Sequence, residues 1–384
     1  MWQFKSPFIV FGEDALDYLD NVQARHFFIV TDANMTRLGL VNVIAKHLNA
    51  PYSVFDQVEP EPSLQTVRLA AHAMSDAQPD WIIGLGGGSA MDAAKAAWLL
   101  YEKPDAEIVA INPLETYGVR AKAKLIAIPT TSGTGSETTL ATVLTDTDEH
   151  RKLSLGSYEL VPDVAIVDPA LVMKLPQVIT ADTGMDVLTH AVEGYTSRMH
   201  NDFSDGMCLK ATELVMTYLP RAYADGNDVE ARTHMHNAAT IAGLGFGNSQ
   251  AALAHAMGHS LGALFRVAHG RAVSLFLPYT IEYTANGGDT RYADLAHMMK
   301  LHTHTEIESA HAVAARIRDM ERAMNMPTTI QEAGITHDQF IEALPRLIAN
   351  ANMDTQVVMN TRVPESAELQ KLFEYAYEGK RVDF

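Results

Sequence analysis

The sequence predicts two domains of different class: an α/β domain with a mostly parallel sheet over residues 1–178 and an all-helical domain over residues 179–384. In the first part, short β-branched runs alternate with amphipathic helical segments, which is typical of βαβ units whose sheet is covered on both faces. From about Pro176 onward the strand signals stop and long helical patterns follow one another. A chain of 384 residues is long enough for two separate cores.

The elements of both parts follow from the spacing of apolar residues along the chain. Strands are predicted at residues 26–31, 52–58, 81–85, 108–111, 125–128 and 164–167, with helices between them at 63–77 and 89–101. Residues 138–157, with Thr-Asp-Thr-Asp-Glu at their middle, are expected to form a β-hairpin appended to the sheet. Among the helices predicted in the second part are residues 202–219, 229–244 and 306–324.

Composition and charge limit the binding partners and the cellular compartment to be expected for this chain. The net charge of −18 repels polyanions, and no Lys/Arg-rich run interrupts it, so neither nucleic acid nor an anionic membrane is an expected partner. The single cysteine, Cys208, allows no intrachain disulfide, which favours a reducing compartment. The N-terminus lacks the pattern of a signal peptide, and no run of about 18 apolar residues occurs. We therefore expect a cytoplasmic protein.

A glycine-rich turn joins a predicted strand to a predicted helix at residues 81–92. Glycines let the backbone turn tightly and present bare N–H groups, and the N-terminus of the next helix adds the positive end of its dipole. The combination predicts that a phosphate group binds here, although such turns also occur for packing alone. The residues concerned are Gly86, Gly87, Gly88 and Ser89.

This turn differs from the usual dinucleotide fingerprint, which opens the first βα unit and precedes its acidic residue by about 20 positions. Here the turn follows a later strand, and the acidic residue suited to a ribose, Asp32, lies upstream. A second loop brings Thr130, Thr131 and Thr134 to the end of another strand, where hydroxyls can line a nucleotide. The first domain is therefore predicted to be a dinucleotide-binding, Rossmann-like variant.

Five potential metal ligands occur in the helical half. Asp186 and His190 are four residues apart, as are His255 and His259, so each pair shares a helix face at about 6 Å between Cβ atoms. His269 follows, just before a glycine. Imidazole and carboxylate together suit Zn²⁺ or Fe²⁺ better than Ca²⁺ or Mg²⁺. A catalytic metal usually has three or four protein ligands and an open position, so one candidate is surplus, and spacing does not say which.

Four segments, in this order along the chain, closely resemble the iron-containing (group III) alcohol dehydrogenases. They are residues 86–89, 129–137, 184–193 and 255–262. The resemblance implies an N-terminal dinucleotide-binding domain, a C-terminal helical metal-binding domain and a hydride transfer in the cleft between them. It also implies Fe²⁺, or Zn²⁺ in its place, acting as a Lewis acid on the substrate oxygen.

The resemblance assigns roles to individual residues. It places the metal on Asp186, His190, His255 and His269. His259 is left beside the site, associated with the nicotinamide end of the cofactor and with proton movement. The pyrophosphate is assigned to the glycine turn and its serine, with three hydroxyls near the cofactor and one lysine near the ribose; the residues are Gly86, Gly87, Gly88, Ser89, Thr130, Thr131, Thr134 and Lys152.

Asp32 bears on the choice of cofactor. A carboxylate at this place accepts hydrogen bonds from a ribose 2′-OH and repels a 2′-phosphate, which predicts NAD(H) over NADP(H). The alternative is that Asp32 only caps the turn that follows it.

Four positions bear on the expected substrate pocket, and three of them depart from the family pattern. Phe246 falls where relatives place an aromatic pocket wall, and Ala141 where some carry a larger polar side chain. Glu61 replaces a more familiar asparagine, and Thr361 stands where a proline is common. The sequence therefore predicts the reaction but not the individual substrate.

The leading hypothesis is an NAD-dependent, iron-dependent alcohol dehydrogenase acting on short-chain primary alcohols or diols, or on the matching aldehydes. The first alternative is a zinc-dependent polyol dehydrogenase of the glycerol type, or a lyase like dehydroquinate synthase. A zinc hydrolase is disfavoured because Ala256 follows His255 where a metallopeptidase helix needs a glutamate. A non-enzymatic binding module leaves both glycine-rich loops unexplained. The family resemblance also implies a homo-oligomer, for which we expect a dimer.

Overall fold

The computed structural model describes residues 3–113, 115–148 and 151–384. The chain divides into two compact units between Lys174 and Leu175, close to the expected boundary between residues 178 and 179. The first unit contains a parallel sheet with helices, and the second contains helices. The predicted fold class, α/β followed by all-α, is thereby confirmed.

The sheet of the first unit has six parallel strands in the order β1-β8-β5-β4-β2-β3. The eight strands of the described chain are β1 (Phe8–Phe11), β2 (Phe27–Val30), β3 (Tyr52–Phe55), β4 (Trp81–Gly86), β5 (Lys124–Pro129), β6 (Ala141–Asp146), β7 (Arg151–Gly156) and β8 (Val164–Val167). From β2 the chain moves outward to β3 and then returns to place β4 on the opposite side of β2. Ligands of such sheets bind beyond the carboxyl ends of the strands at this kind of reversal.

The two faces of the sheet are covered by separate hydrophobic clusters. Alternate residues of one strand serve different faces, because successive side chains point to opposite sides. Phe28 and Val30 join one cluster, and Phe27 and Ile29 join the other. The helices of this unit are α1 (Ala33–Arg37), α2 (Leu40–Ala45), α3 (Leu64–Ala77) and α4 (Gly88–Glu102).

The strand predicted at residues 108–111 is wrong, since Ile108–Ala110 form a turn of 3₁₀-helix. Ile108 and Ile111 are buried whereas the two residues between them are exposed. That three-residue spacing suits a helix with three residues per turn and not a strand, whose period is two. Conversely, β1 was not predicted. It is an edge strand paired only with β8 among the described strands, and its apolar residues lie outside any alternating pattern.

The predicted hairpin forms, but its attachment differs from the expectation. Strands β6 and β7 pair antiparallel with each other as a two-stranded sheet separate from the six-stranded one. Part of the predicted turn, residues 149 and 150, lies outside the described residues.

A buried lysine ties the start of this hairpin to α4. Lys95 is fully buried, and its Nζ donates to Ser136 Oγ (2.9 Å), the Thr139 carbonyl (3.0 Å) and the Ala141 carbonyl (2.9 Å). Asp92, one turn earlier, accepts from the Ser136 hydroxyl at 2.6 Å. Burial, opposed by the charge of Asp92, lowers the pKa of Lys95 to about 8. The network fixes the hydroxyl-rich loop after β5 beside the glycine turn.

The second unit is built on one large hydrophobic cluster. Its helices are α5 (Gln177–Thr196), α6 (Asp202–Ala224), α7 (Val229–Phe246), α8 (Leu253–Phe265), α9 (His269–Ala285), α10 (Tyr292–Met298), α11 (Glu306–Ala323), α12 (His337–Met353) and α13 (Ser366–Glu378). The most central of these, α5, α8 and α9, are buried along nearly their whole length. Cys208 is buried in the same cluster. No helix in the described ranges is long and apolar enough to cross a membrane.

Candidate active site

Helices α5, α8 and the first residue of α9 bring four of the five candidate ligands together. Asp186, His190, His255 and His269 each offer one ligand atom, and these atoms lie within 4.8 Å of one another. Asp186 Oδ1 is 3.9 Å from His190 Nδ1, 3.9 Å from His255 Nε2 and 3.4 Å from His269 Nε2. His259 lies outside this group.

The four side chains fit a metal ion. Asp186 Oδ1, His190 Nδ1 and His255 Nε2 are buried and have no hydrogen-bond partner among the described residues. Atoms about 2.1 Å from a tetrahedral Zn²⁺ are about 3.4 Å from one another, which is close to the distances seen. Buried polar atoms are otherwise almost always hydrogen-bonded, so a shared cation accounts for all three.

The approach of α9 to α5 depends on a glycine. A Cβ on Gly270 would lie 2.0 Å from the Asp182 carbonyl oxygen and 3.0 Å from the Asp186 Cβ. Only a residue without a side chain lets the backbone next to His269 come this close to the turn of α5 that carries Asp186. The glycine noted after His269 in the sequence therefore has a packing role at the site.

The electrostatics of the cluster favour the ionisation states that bind metals. Burial raises the pKa of Asp186, but attraction to the neighbouring imidazoles, His190 first, outweighs it and holds the pKa well below its usual range. Burial lowers the pKa of His190 to about 3 and also lowers the pKa of His269. Near neutral pH the carboxylate is therefore charged and these two imidazoles are neutral.

Glu193 supports one of the imidazoles, a role that sequence reasoning did not assign. Its carboxylate accepts from His255 Nδ1 at 2.6 Å and from the backbone N–H groups of Ala252 (3.0 Å) and Ala254 (2.5 Å) at the start of α8. Burial lowers the pKa of His255, but the Glu193 hydrogen bond outweighs it and the pKa is raised. A carboxylate that accepts from Nδ1 leaves Nε2 as the ligand atom. The sequence feature that could have identified this role is the position of Glu193 in the segment His190-Ala191-Val192-Glu193.

Phe246, expected in the substrate pocket, stacks on a candidate ligand. Its ring lies 3.9 Å from the His190 ring, centroid to centroid, at an interplanar angle of 5°. Gly194 allows this arrangement, because a Cβ there would lie 3.0 Å from the Phe246 Cβ. Phe246 thus fixes the plane of His190 while staying partly exposed.

His259 pairs with a residue that the sequence analysis did not single out. Its Nδ1 lies 2.7 Å from Asp354 Oδ2, and both side chains are about one-tenth exposed. Burial raises the pKa of Asp354, but attraction to His259 outweighs it, so the pKa is lowered. The His259 ring lies 5.3 Å from the His269 ring, which places the pair beside the four-residue cluster.

In the first unit, the glycine turn, the hydroxyl-rich loop and Asp32 meet at the carboxyl ends of β2, β4 and β5. A Cβ on Gly88 would lie 2.8 Å from Thr134 Cγ2, and one on Gly87 would lie 3.6 Å from Thr131. Gly86 has φ +144°, and a Cβ there would lie 3.6 Å from Asp32 Oδ2. The turn therefore needs glycine both for its backbone conformation and for space.

Two of the expected cofactor residues have partners of their own. Asp32 Oδ1 accepts from the N–H groups of Asn34 and Met35, so Asp32 does cap α1, while Oδ2 faces the glycine turn. Thr130 N–H donates to the Gly86 carbonyl at 2.9 Å, which joins the two loops.

Lys152 is linked to the glycine turn through Glu61, a residue with a left-handed backbone conformation. Its Nζ lies 2.6 Å from Glu61 Oε1, and the Glu61 N–H donates to Ser89 Oγ at 3.2 Å. Glu61 has φ +58°, in the left-handed region, where asparagine is more easily accommodated. Ala141, at the start of β6, is partly exposed.

Sequence comparison assigns the two halves of the chain to one group of proteins. Residues 6–169 match the profile described as iron-containing alcohol dehydrogenase, and residues 180–377 match the profile of the C-terminal part of the Fe-containing alcohol dehydrogenase family. The chain belongs to the iron-containing alcohol dehydrogenase family. It is thus an oxidoreductase that interconverts alcohols and aldehydes with a nicotinamide cofactor.

Individual relatives of this dehydrogenase support the assignment. A protein named NADPH-dependent butanol dehydrogenase, from Clostridium saccharobutylicum, is 36% identical, with 98% of each chain covered. The solved structure of an alcohol dehydrogenase from Oenococcus oeni superimposes with a TM-score of 0.92 at 30% identity, covering 98% of this chain and all of that one. A sulfoacetaldehyde reductase from Bifidobacterium kashiwanohense, solved in complex with NAD⁺, has a TM-score of 0.86 at 28% identity, with 98% of each chain covered.

Other relatives are about twice as long. An aldehyde-alcohol dehydrogenase of Entamoeba histolytica is 38% identical over 98% of this chain, but the match covers only 46% of its own length. The chain thus spans about half the length of such relatives.

Replacing Glu193 tests how the protein holds His255. Glu193→Gln keeps the size of the side chain but removes its charge. The new amide NH₂ is a donor, so it cannot accept from the N–H groups at the start of α8. We expect metal affinity to fall about 10- to 100-fold, as is typical when the carboxylate behind a histidine ligand is lost. Titration of Zn²⁺ against a competing chelator measures this. Glu213→Gln, at an exposed Lys210 pair, is the control, and equal affinity of both variants would contradict the role of Glu193.

Proposed function

We propose that this protein is an iron-dependent alcohol dehydrogenase that transfers a hydride between NAD(H) and a short-chain primary alcohol or diol, or the matching aldehyde. The observation that carries the proposal is the buried group of Asp186, His190, His255 and His269, whose ligand atoms have the spacing of a metal site. These four side chains would hold Fe²⁺, or Zn²⁺ in its place. When bound, the ion supplies Lewis acidity to the substrate oxygen and stabilises the negative charge that develops there.

The protein residues around this group orient the reactants and move the proton. Phe246 presents the partly exposed face of its ring beside His190, and we assign it to the substrate pocket. His259 stands beside the ligands and receives the proton that the alcohol loses on oxidation. Ala141, which is partly exposed in the first unit, is likewise proposed as a substrate-contacting residue.

The cofactor binds at the glycine turn. Its pyrophosphate lies against the N–H groups of Gly86, Gly87, Gly88 and the hydroxyl of Ser89, at the N-terminus of α4. Thr130, Thr131 and Thr134 line the other side, and Lys152 lies near the ribose. Support comes from the close approach of the two loops and from their place at the strand-order reversal.

The metal site is tested by removing its α5 ligands. Asp186→Ala and His190→Ala are each expected to lose bound iron and alcohol-dependent NADH formation by at least about 100-fold, while NAD⁺ binding measured by calorimetry persists. An exposed Asp–His pair with the same four-residue separation, His72 and Asp76, provides matched alanine controls. Full turnover in the metal-free variants would overturn the proposal.

Asp32 is proposed to favour NAD(H) over NADP(H), because its Oδ2 faces the glycine turn where it would repel a 2′-phosphate. The butanol dehydrogenase named above as NADPH-dependent makes this a point on which relatives differ. Asp32→Gly should raise kcat/KM for NADPH relative to NADH by about 10-fold or more, equal to about 1.4 kcal/mol. Asp14→Gly, another aspartate before a helix in the same unit, is the control. An unchanged cofactor ratio would show that Asp32 acts only as a cap.

We also propose a cytoplasmic homodimer. The single buried cysteine suits a reducing compartment. The edge strand β1 leaves one side unpaired within the described chain and exposes Phe8 (62%) and Phe11 (67%), features that favour pairing with a second copy. Light scattering should give twice the chain mass of 42.0 kDa, and a monomeric mass at assay concentration would exclude the dimer.

A further inference from the structure

Helix α8 carries two imidazoles one turn apart, and a different carboxylate holds each of them by Nδ1. Glu193 Oε2 lies 2.6 Å from His255 Nδ1, and Asp354 Oδ2 lies 2.7 Å from His259 Nδ1. The two pairs have the same chemistry, yet only His255 belongs to the four-residue ligand group. The second pair therefore calls for a role outside metal binding.

Asp354 is itself held in place. It follows α12 directly, and its Oδ1 accepts from the Gln356 N–H at 2.9 Å, so the carboxylate cannot swing away without losing that bond. Next to His259, Ser260 Oγ donates to the Leu347 carbonyl of α12 at 2.8 Å and fixes α8 against α12. One oxygen of Asp354 is thus held by a backbone N–H, and the other contacts His259.

We propose that Asp354 is a positioning residue that fixes His259 as the Nδ1–H tautomer and so leaves Nε2 as the proton acceptor. A carboxylate only accepts, so the hydrogen bond at 2.7 Å places a proton on His259 Nδ1 and leaves Nε2 as the nitrogen that can take up or release a proton. The inference rests on the proposed function, in which His259 receives the proton released by the alcohol. That proton reaches Nε2 while the hydride leaves for the nicotinamide, and it passes from Nε2 to solvent.

The same contact explains why His259 is separate from the metal ligands. Glu193 directs His255 Nε2 to within 3.9 Å of Asp186 Oδ1, whereas Asp354 draws His259 toward α12. The two histidines of α8 thereby have different roles. The carboxylate of Glu193 orients one for metal binding, and that of Asp354 orients the other for proton transfer.

A double-mutant cycle with His259→Ala and Asp354→Ala, both loaded with Fe²⁺ under anaerobic conditions, tests the coupling. In the wild-type background Asp354→Ala is expected to lower kcat about 10- to 100-fold with little change in KM for the alcohol or in iron content. In the His259→Ala background it should cause no further loss. Asp354→Asn keeps an acceptor oxygen and should retain more activity than the alanine variant.

A surface pair supplies the control. His47 Nδ1 lies 3.1 Å from Asp20 Oδ1 with both side chains partly exposed, so Asp20→Ala removes the same kind of contact and should leave kcat unchanged. Losses of Asp354→Ala that multiply with those of His259→Ala would overturn the inference, because Asp354 would then act through the fold or the metal. No loss in the wild-type background would overturn it as well.

A readout that needs no turnover separates this inference from the proposed function. In the Zn²⁺-loaded protein labelled with ¹⁵N-histidine, the His259 signals are identified by their loss in His259→Ala. We expect a protonated Nδ1 and an unprotonated Nε2, and a mixture of tautomers in Asp354→Ala. A protonated Nε2 in the wild type would overturn the inference while leaving dehydrogenase activity standing. The expected tautomer in a protein without alcohol turnover would instead reject the proposed function.

Discussion

Three buried ligand atoms that have no hydrogen-bond partner among the described residues are the constraint on which the second unit depends. Asp186 Oδ1, His190 Nδ1 and His255 Nε2 converge inside a helical core, where each unpaired polar atom costs on the order of 1–3 kcal/mol. A bound divalent cation removes this cost and links metal binding to the stability of the unit. The buried faces of α5 and α8 and the missing side chain at Gly270 all serve that convergence.

In the first unit, the proposed role of the glycine turn is to bring backbone N–H groups close to the pyrophosphate of the cofactor. Glycine at residues 86–88 leaves no side chain between the turn and the hydroxyls of the facing loop. The fully buried Lys95 holds that loop through three donor contacts, although burying an ammonium is unfavourable unless its hydrogen bonds are made. The hydrogen bonds that fix the loop after β5 therefore also compensate the burial of the Lys95 ammonium group.

The sequence predicted those parts of the structure that depend on local spacing. The four-residue separations of Asp186 from His190 and of His255 from His259 fixed which side chains share a helix face. Spacing did not rank His255 above His259, because Glu193 and Asp354, the carboxylates that contact these two rings, lie 62 and 95 residues away from them. The strand predicted at residues 108–111 was wrong because a short apolar run has no clear period. Strand β1 was not predicted because its apolar residues do not alternate with polar ones.

Four side chains are proposed to bind one metal ion, while His259 lies beside the ion without binding it. Crystals of the protein loaded anaerobically with Fe²⁺ test this through anomalous scattering at the iron absorption edge. We expect one strong peak for an iron ion about 2.0–2.2 Å from the ligand atoms of Asp186, His190, His255 and His269, with Asp354 still hydrogen-bonded to His259 Nδ1. An iron ion coordinated by His259, or no peak among the four ligands, would contradict this assignment.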